Sequence, residues 1–153
     1  MLFRSNRSIL ADPRESKMKD ILNEKIKHRE SFRPFAPSIL EEHTTDYFDI
    51  DVPSPYMLMV TNVKQPDKIP AVTHVDGTGR LQTVSKQANP LYYDLINEFY
   101  KITGVPVVIN TSMNVMGEPI ANTPEQAYNM IKKTDMDYIV MGNNLVSKFD
   151  TEL

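Results

Sequence analysis

The candidates for chemistry in this chain are polar and basic side chains that can donate hydrogen bonds to an anion. They occur in a basic stretch, at the start of a β-rich run and in a polar loop. In sequence order they are Lys27, Arg29, Arg33, Arg80, Asn110, Ser112 and Asn114. In an extended segment, side chains two residues apart project from the same face, as Lys27 and Arg29 would. Such a set could bind a triphosphate and stabilise the charge that builds up when phosphorus is attacked.

Each candidate also has a structural explanation. Lys27 and Arg29 could be helix-end cations that interact with the helix dipole. Arg33 could pair with Glu30, and Arg80 could be an exposed hairpin residue. The polar loop is rich in ordinary turn formers, so it is either a ligand loop or a turn. Taken singly, each residue is better explained by structure. Because Lys27 and Arg29 lie where the first predicted helix gives way to extended chain, we expect neither to be needed for core packing.

Several catalytic and metal sites are excluded by what the chain lacks. There is no cysteine, so no thiolate nucleophile or thiolate metal site is available. There is no G-x-S-x-G elbow and no Walker loop G-x-x-x-x-G-K-S/T. The histidines, His28, His43 and His74, have no zinc spacing. We therefore expect no transition metal, and any Mg²⁺ would enter with nucleotide phosphates.

Composition indicates one globular domain spanning residues 1–153. The apolar content is 41% and the net charge is −3, which is ordinary for a folded protein. No apolar run approaches the roughly 20 residues that span a bilayer, and no signal peptide follows Met1. We therefore expect a cytoplasmic location and no membrane partner. Basic residues crowd the first segment, but no aromatic residues alternate with them, which argues against nucleic acid as a partner.

The polar loop follows a predicted buried strand, Val105–Ile109, which is rich in β-branched residues. A buried strand that ends in a polar loop is where open α/β sheets place ligands. Caps and apolar spacing predict helices over Asp12–Ile26, Asn89–Ile102 and Thr123–Lys133. Asp12 would cap the first helix, with Pro13 at its first position.

The remaining elements indicate a mixed sheet covered by helices. A hairpin is predicted from Ala71–Val75 to Arg80–Val84 across Asp76-Gly77. Tyr56–Val60 is predicted to be a buried strand and Tyr138–Met141 a final strand. The apolar stripe of the second helix is predicted to comprise Leu91, Leu95, Ile96, Phe99 and Ile102.

Several long motifs, in order, resemble the C-terminal domain of the O-carbamoyltransferases of the NodU/CmcH type. They are NRSILADPR from Asn6, KHRESFRPFAPSIL from Lys27, HVDGTGRLQTV from His74, and NTSMNVMGEPI with NTPEQA from Asn110. The resemblance runs from Asn6 to Lys148. The domain is similar to the YrdC-like fold of threonylcarbamoyl-adenylate synthases, an α/β fold with a twisted open mixed sheet. Lys27-His28-Arg29 matches that fold's K-x-R, and Ser112-Met113-Asn114 with Gly117 matches its S-x-N plus glycine.

The resemblance implies half of a two-step reaction. The YrdC-like domain would take carbamoyl phosphate and join the resulting carbamate to the α-phosphate of ATP, with pyrophosphate leaving. A metal-bearing Kae1-like N-terminal domain would then pass the carbamoyl group to a substrate hydroxyl. Lys27, Arg29 and Ser112 would be catalytic, acting with Asn114 on the phosphates and the carbamoyl group. Arg33, Arg80 and Asn110 would be further anion or carbonyl contacts.

The chain departs from the family in two ways. The usual G-P-R-A-L-G ahead of N-R-S-I-L is absent or replaced, since Met1–Ser5 stand there, and we expect the Kae1-like domain to be missing from this chain. The chain would then be a fragment, a truncated reading frame or a stand-alone half, and would make at most the adenylate. The main alternative is a non-catalytic nucleotide- or RNA-binding module with the same fold, and a third is a fragment with no activity.

Overall fold

The computed structural model describes residues 7–148, so Met1–Ser5 lie outside the described residues. The strands are β1 (Ser8–Ala11), β2 (Ala36–Leu40), β3 (Val60–Asn62), β4 (Thr78–Arg80), β5 (Gln82–Val84), β6 (Val107–Ser112), β7 (Tyr138–Met141) and β8 (Asn144–Ser147). The α-helices are α1 (Met18–Ile21), α2 (Thr44–Tyr47), α3 (Pro90–Thr103) and α4 (Pro124–Lys133). A π-helical segment, Leu22–Lys27, continues α1, and short 3₁₀ turns cover Glu41–His43, Pro66–Lys68 and Pro70–Val72.

A four-stranded mixed sheet in the order β1-β6-β2-β5 forms the centre of the fold. Strand β6 is antiparallel to both β1 and β2, and β2 is parallel to β5. Strands β3 with β4 and β7 with β8 form separate antiparallel pairs. The mixed α/β fold predicted from the sequence is therefore confirmed. Within residues 7–148, no helix is both long and apolar enough to cross a membrane.

The two faces of the sheet differ. One face carries Ile9, Ile39 and Ile109 and belongs to the larger apolar cluster, which also contains residues of the π segment and α4. The other face packs Val108 against Tyr92 and Ile96 of α3. Side chains alternate along a strand, so Asn110 and Ser112 continue the Val108 face. That face is apolar beneath α3 and becomes polar towards the end of β6.

Local capping signals identified the later helices correctly. The side chain of Asn89 accepts a hydrogen bond from the Tyr92 amide, and Gly104 ends α3 at a φ of 72°, a conformation that favours glycine. Thr123 caps α4 by accepting from the Gln126 amide. The predicted strand Tyr138–Met141 is confirmed as β7, but it is not the last strand, because β8 follows and pairs with it. The strand before the polar loop exists, but it covers Val107–Ser112, so residues predicted to be loop extend β6.

The predicted start of the first helix is wrong. Asp12 does not cap a helix, because its carboxylate accepts hydrogen bonds from the backbone and side chain of Arg14. Pro13 is buried, and its carbonyl accepts from the Ala71 amide. This contact fixes the chain against the 3₁₀ turn Pro70–Val72, and the helix begins only at Met18.

The predicted hairpin is also wrong. Its first half forms a 3₁₀ turn, and a tight turn follows in which the His74 amide donates to the Thr78 carbonyl at 2.8 Å. Strand β4 pairs with β3, and β5 pairs with β2. The predicted strand Tyr56–Val60 is not formed either, since β3 begins at Val60 and Leu58 is 75% exposed.

The stripe of α3 was only partly predicted. Ile96 is fully buried, and Phe99 packs against the same apolar cluster. Leu91 and Ile102, however, are more than four-fifths exposed. Tyr92, which was not assigned to the stripe, is buried instead, so the buried side of α3 is rotated from the predicted one.

Candidate anion-binding site

The end of the π-helical segment brings Lys27 against the end of β6. His28 adopts a left-handed conformation, with a φ of 50°, and stops the helix there. The ammonium of Lys27 donates to the carbonyl oxygens of Ser112 at 2.7 Å and Asn114 at 2.6 Å, and to Asn114 Oδ1 at 2.8 Å. Lys27 is 3% exposed. The expectation that Lys27 is not needed for packing is therefore wrong, because its three N–H donors fix a buried turn.

The polar loop is held by a small network centred on Asn114. Ser112 Oγ donates to Asn114 Oδ1 at 2.5 Å, and Asn114 Nδ2 donates to the Glu118 carbonyl at 2.8 Å. The backbone of Lys27 joins this network as well, since its carbonyl accepts from the Met116 amide at 2.9 Å. Both the main chain and the side chain of Lys27 thus position the segment that carries Ser112 and Asn114.

Arg29 is held in place while most of its donors stay available. Its Nε donates to Asn23 Oδ1 at 2.7 Å, and its guanidinium carbon lies 4.8 Å from the centre of the Phe35 ring. Within residues 7–148 the two terminal nitrogens have no hydrogen-bond or ion-pair partner. A fixed guanidinium with free terminal N–H groups is suited to bidentate recognition of a phosphate or carboxylate.

Asn23 is a positioning residue that the sequence analysis missed. It is fully buried, and its Nδ2 donates to the carbonyls of Ser31 at 3.2 Å and Arg33 at 2.9 Å. It thereby fixes the loop that presents the arginines. The signal was available, because an asparagine beside Leu22, on the side of the helix that also carries Ile26, needs polar partners when buried.

The cations of the site perturb one another. Burial, and then the charge of Arg29, lowers the pKa of Lys27 to about 8. Burial, and then the charge of Arg33, lowers the pKa of Arg29, and Glu30 opposes this effect. Arg33 itself forms an ion pair with Glu30 at 2.8 Å, as its structural explanation anticipated. Positive charge that is crowded and only partly balanced favours an anionic ligand.

Asn110 belongs to a deeper polar network on the same face of the sheet. It is 2% exposed, and its Nδ2 donates to Ser38 Oγ at 3.1 Å and Gln82 Oε1 at 2.9 Å. Ser38 Oγ donates to the same Gln82 oxygen at 2.8 Å. Ser38 and Gln82 were not predicted as part of this network. A polar residue within a buried strand needs a hydrogen-bond partner, and this could have indicated them.

Arg80 is not brought into contact with the other candidates. It is exposed on β4, opposite Val60. Burial lowers the pKa of His74, Asp76 opposes this effect, and the charges of Arg80 and Lys19 add to the lowering. The structure therefore gathers Lys27, Arg29, Arg33, Ser112 and Asn114, places Asn110 deeper in the sheet, and leaves Arg80 apart. Among the described residues, no group of three histidines, cysteines or carboxylates could hold a metal ion.

The family model of the carbamoyltransferase C-terminus matches residues 4–148. The chain belongs to this family. It is 47% identical over 148 residues to nodulation protein NolO of Bradyrhizobium diazoefficiens, covering 94% of this chain and 27% of that protein. It is 48% identical over 113 residues to nodulation protein U of Sinorhizobium fredii, covering 72% of this chain and 20% of that protein. This carbamoyltransferase C-terminal chain spans about a quarter of the length of the curated relatives it matches.

Among solved structures, this chain resembles full-length HypF in its phosphate- and nucleotide-bound form. The TM-score is 0.58 at 20% sequence identity, over 83% of this chain and 17% of HypF. At this identity the likeness concerns the fold. It confirms the predicted YrdC-like α/β fold.

Proposed function

We propose that this carbamoyltransferase C-terminal domain forms carbamoyl adenylate from carbamoyl phosphate and ATP. The observation that carries the proposal is that Arg29 is held in a fixed orientation with free hydrogen-bond donors. Its guanidinium is oriented by Asn23 and Phe35, its terminal nitrogens are free among the described residues, and Lys27 and Arg33 add positive charge beside it. Both substrates are polyanions, so a preorganised cluster of this kind suits them.

The reaction needs no nucleophilic side chain. Water would first hydrolyse carbamoyl phosphate to carbamate and inorganic phosphate, and an oxygen of the carbamate would then attack the α-phosphorus of ATP. The new bond joins carbamate to the α-phosphate while the bond to the β-phosphate oxygen breaks and pyrophosphate leaves. Positioning and charge stabilisation are the main contributions a protein makes to such phosphorus chemistry.

The roles of the residues follow from their contacts. Arg29 would bind a phosphate or carbamoyl oxygen with its free terminal nitrogens. Lys27 would add positive charge to the site without contacting the ligand, because its ammonium donates to the oxygens of Ser112 and Asn114 and holds them in place. Arg33 would have to leave Glu30 to reach a ligand. Asn110 and Arg80 would contribute less directly, because the first is buried in another network and the second lies on β4.

The second half of the reaction belongs to another region. In the proposal, a Kae1-like N-terminal domain with its own metal transfers the carbamoyl group to a substrate hydroxyl. The length of the relatives supports this division, since the chain covers only 27% of NolO. ATP would arrive with Mg²⁺ bound to its phosphates. HypF, which resembles this chain in fold, was crystallised in a phosphate- and nucleotide-bound form, and this supports the choice of ligands.

The test is pyrophosphate release from the purified chain with ATP and carbamoyl phosphate together. We expect Arg29→Ala to lower the rate about a hundredfold or more, since one such contact is typically worth about 3 kcal/mol. Arg14→Ala is the matched control. Ser8, at the first end of β1, pairs with Ser112, whereas Arg14 follows the opposite end and forms an ion pair with Asp12. Release that occurs without carbamoyl phosphate, or that Arg29→Ala leaves unchanged, would refute the proposal.

A non-catalytic nucleotide-binding module is the second candidate. The observation that favours it is that the three N–H donors of Lys27 are already used by the protein. In that case the chain would bind ATP with Arg29 but release no pyrophosphate, even when the N-terminal region of a relative is supplied.

A further inference from the structure

A cavity lies between β5 and the amino-terminal end of α3, away from the cations. Its volume is about 150 Å³, and its lining includes Gln82, Val84, Ala88 and Tyr92. A cavity of about this volume accommodates a single aromatic ring. No residue of this cavity belongs to the cation cluster described above.

Two polar atoms that line this cavity, the Tyr92 hydroxyl and Gln82 Nε2, lack hydrogen-bond partners among the described residues. Tyr92 is 5% exposed, and its buried hydroxyl, although beside Ser38 and Asn110, makes no hydrogen bond of normal geometry with the described residues. Gln82 is 4% exposed, and its Oε1 accepts from both Ser38 and Asn110. Its Nε2 has no partner within residues 7–148. Buried polar groups are normally satisfied, so the Tyr92 hydroxyl at this cavity indicates a ligand or water, and Gln82 Nε2 adds a donor beside it.

The rest of the lining restricts the chemistry of the ligand. Val84, Pro55 and Ala88 offer apolar contact for the faces of a ring. Glu41 also lines the cavity, is exposed, and forms no ion pair within the described part of the chain. A carboxylate there disfavours a phosphate and favours a group that donates hydrogen bonds. A flat, uncharged ring with both N–H groups and ring nitrogens on its edge meets all of these requirements.

The cavity is connected to the anion site through the sheet. Gln82 shares its hydrogen bonds with Asn110, which lies two residues before Ser112 on the same face of β6. Two residues of strand span about 6.6 Å. We infer that the cavity binds the nucleobase of the nucleotide, with Gln82 and Tyr92 contacting the base edge and Glu41 accepting from an amino group. This inference rests on the proposed function, because it assigns the base of the nucleotide whose phosphates meet Arg29.

The experiment compares binding of ATP and inorganic tripolyphosphate to the purified chain. Wild-type protein should bind ATP more tightly than tripolyphosphate. Ala88→Phe, which fills the cavity, and Tyr92→Phe, which removes only the hydroxyl, should each weaken ATP binding by about tenfold and leave tripolyphosphate binding unchanged. Gln87→Phe is the matched control, since Gln87 is exposed next to Ala88 and does not line the cavity.

Two further measurements separate the possible outcomes. Tyr92→Phe should not lower the Tm, because the lost hydroxyl has no hydrogen-bond partner in the described part of the chain. Arg29→Ala should weaken both ligands. If ATP and tripolyphosphate bind equally, or if both cavity variants bind ATP like wild type, the base pocket is refuted while the phosphate site stands. If wild-type protein binds neither ligand, the proposed function fails, and the base pocket fails with it.

Discussion

At the scale of single residues, Lys27 and Arg29 lie two positions apart and use their charges differently. The ammonium has three N–H donors, and carbonyl or amide oxygens of the protein accept all of them. The guanidinium has five, and among the described residues only Nε donates, to Asn23. Lys27 therefore belongs to the framework of the site, whereas Arg29 is free to contact a ligand.

Lys27→Met should destabilise the protein by about 2–4 kcal/mol, because the carbonyls of Ser112 and Asn114 lose their donor in a partly buried position. Urea denaturation measures the change in the free energy of unfolding. Lys25→Met is the control: Lys25 is exposed on the same helical segment, and its loss should cost under about 0.5 kcal/mol. Equal stabilities for the two variants would contradict the structural role of Lys27.

The pKa of Lys27 also predicts how binding depends on pH. In the free protein it is about 8, below the ordinary 10.5. A bound phosphate favours the charged ammonium and so raises the pKa in the complex. Binding must then be coupled to proton uptake above pH 8. Affinity for tripolyphosphate should therefore be constant just below about pH 8 and fall by up to about tenfold per unit above it.

Calorimetric titration of wild type and Lys27→Met across this range measures the effect. The variant should bind more weakly at neutral pH but show no break near pH 8. If the affinity of the variant for tripolyphosphate still begins to fall near pH 8, the group that titrates is not Lys27.

At the scale of elements, the π-helical segment determines where the arginines are presented. The Arg29 amide donates to the Asn23 carbonyl at 2.9 Å, and the Asn23 side chain holds the following loop through the Ser31 and Arg33 carbonyls. π-helical turns frequently occur at functional sites. Here the turn lets one buried asparagine fix both the end of the helix and the loop after it.

Asn23→Ala should consequently impair binding and stability together. It removes the Arg29 contact and leaves two carbonyls without a donor, at a cost of about 2–3 kcal/mol. Tripolyphosphate affinity should fall because Arg29 loses its fixed orientation. Asn97→Ala, on α3, is the control and should change neither. Full tripolyphosphate affinity in Asn23→Ala would show that Arg29 needs no positioning by this residue.

Elements specified by neighbouring residues were predictable, and those specified by distant partners were not. Asn89 and Gly104 define both ends of α3 through contacts within one turn. The partner of Thr78–Arg80, by contrast, is Val60–Asn62, which no local turn signal indicates. The contact between Lys27 and Ser112 joins residues 85 positions apart. The family motifs identified both residues, but only the fold reveals that one holds the other.

At the scale of the whole molecule, the chain carries a net charge of −3 but concentrates positive charge at the carboxyl end of β6. Such a local field attracts anions in spite of the overall charge. The same sheet has one face closed by apolar packing and another that is polar beyond α3. The candidate anion site and the cavity beside Tyr92 both lie along this polar face.

Adenylate formation and carbamoyl transfer can be measured separately on this chain. With ATP and carbamoyl phosphate, the 153-residue chain should release pyrophosphate but should not carbamoylate an added alcohol, as measured by mass spectrometry of that alcohol. The reason is that the candidate residues gathered at the site offer N–H and O–H donors suited to anions, and none of them is a histidine or a carboxylate that could deprotonate a hydroxyl. Addition of the N-terminal region of a relative such as NolO should restore transfer without changing the initial rate of pyrophosphate release. Carbamoylated alcohol from the chain alone, absent from an Arg29→Ala control, would show that both steps occur on this domain.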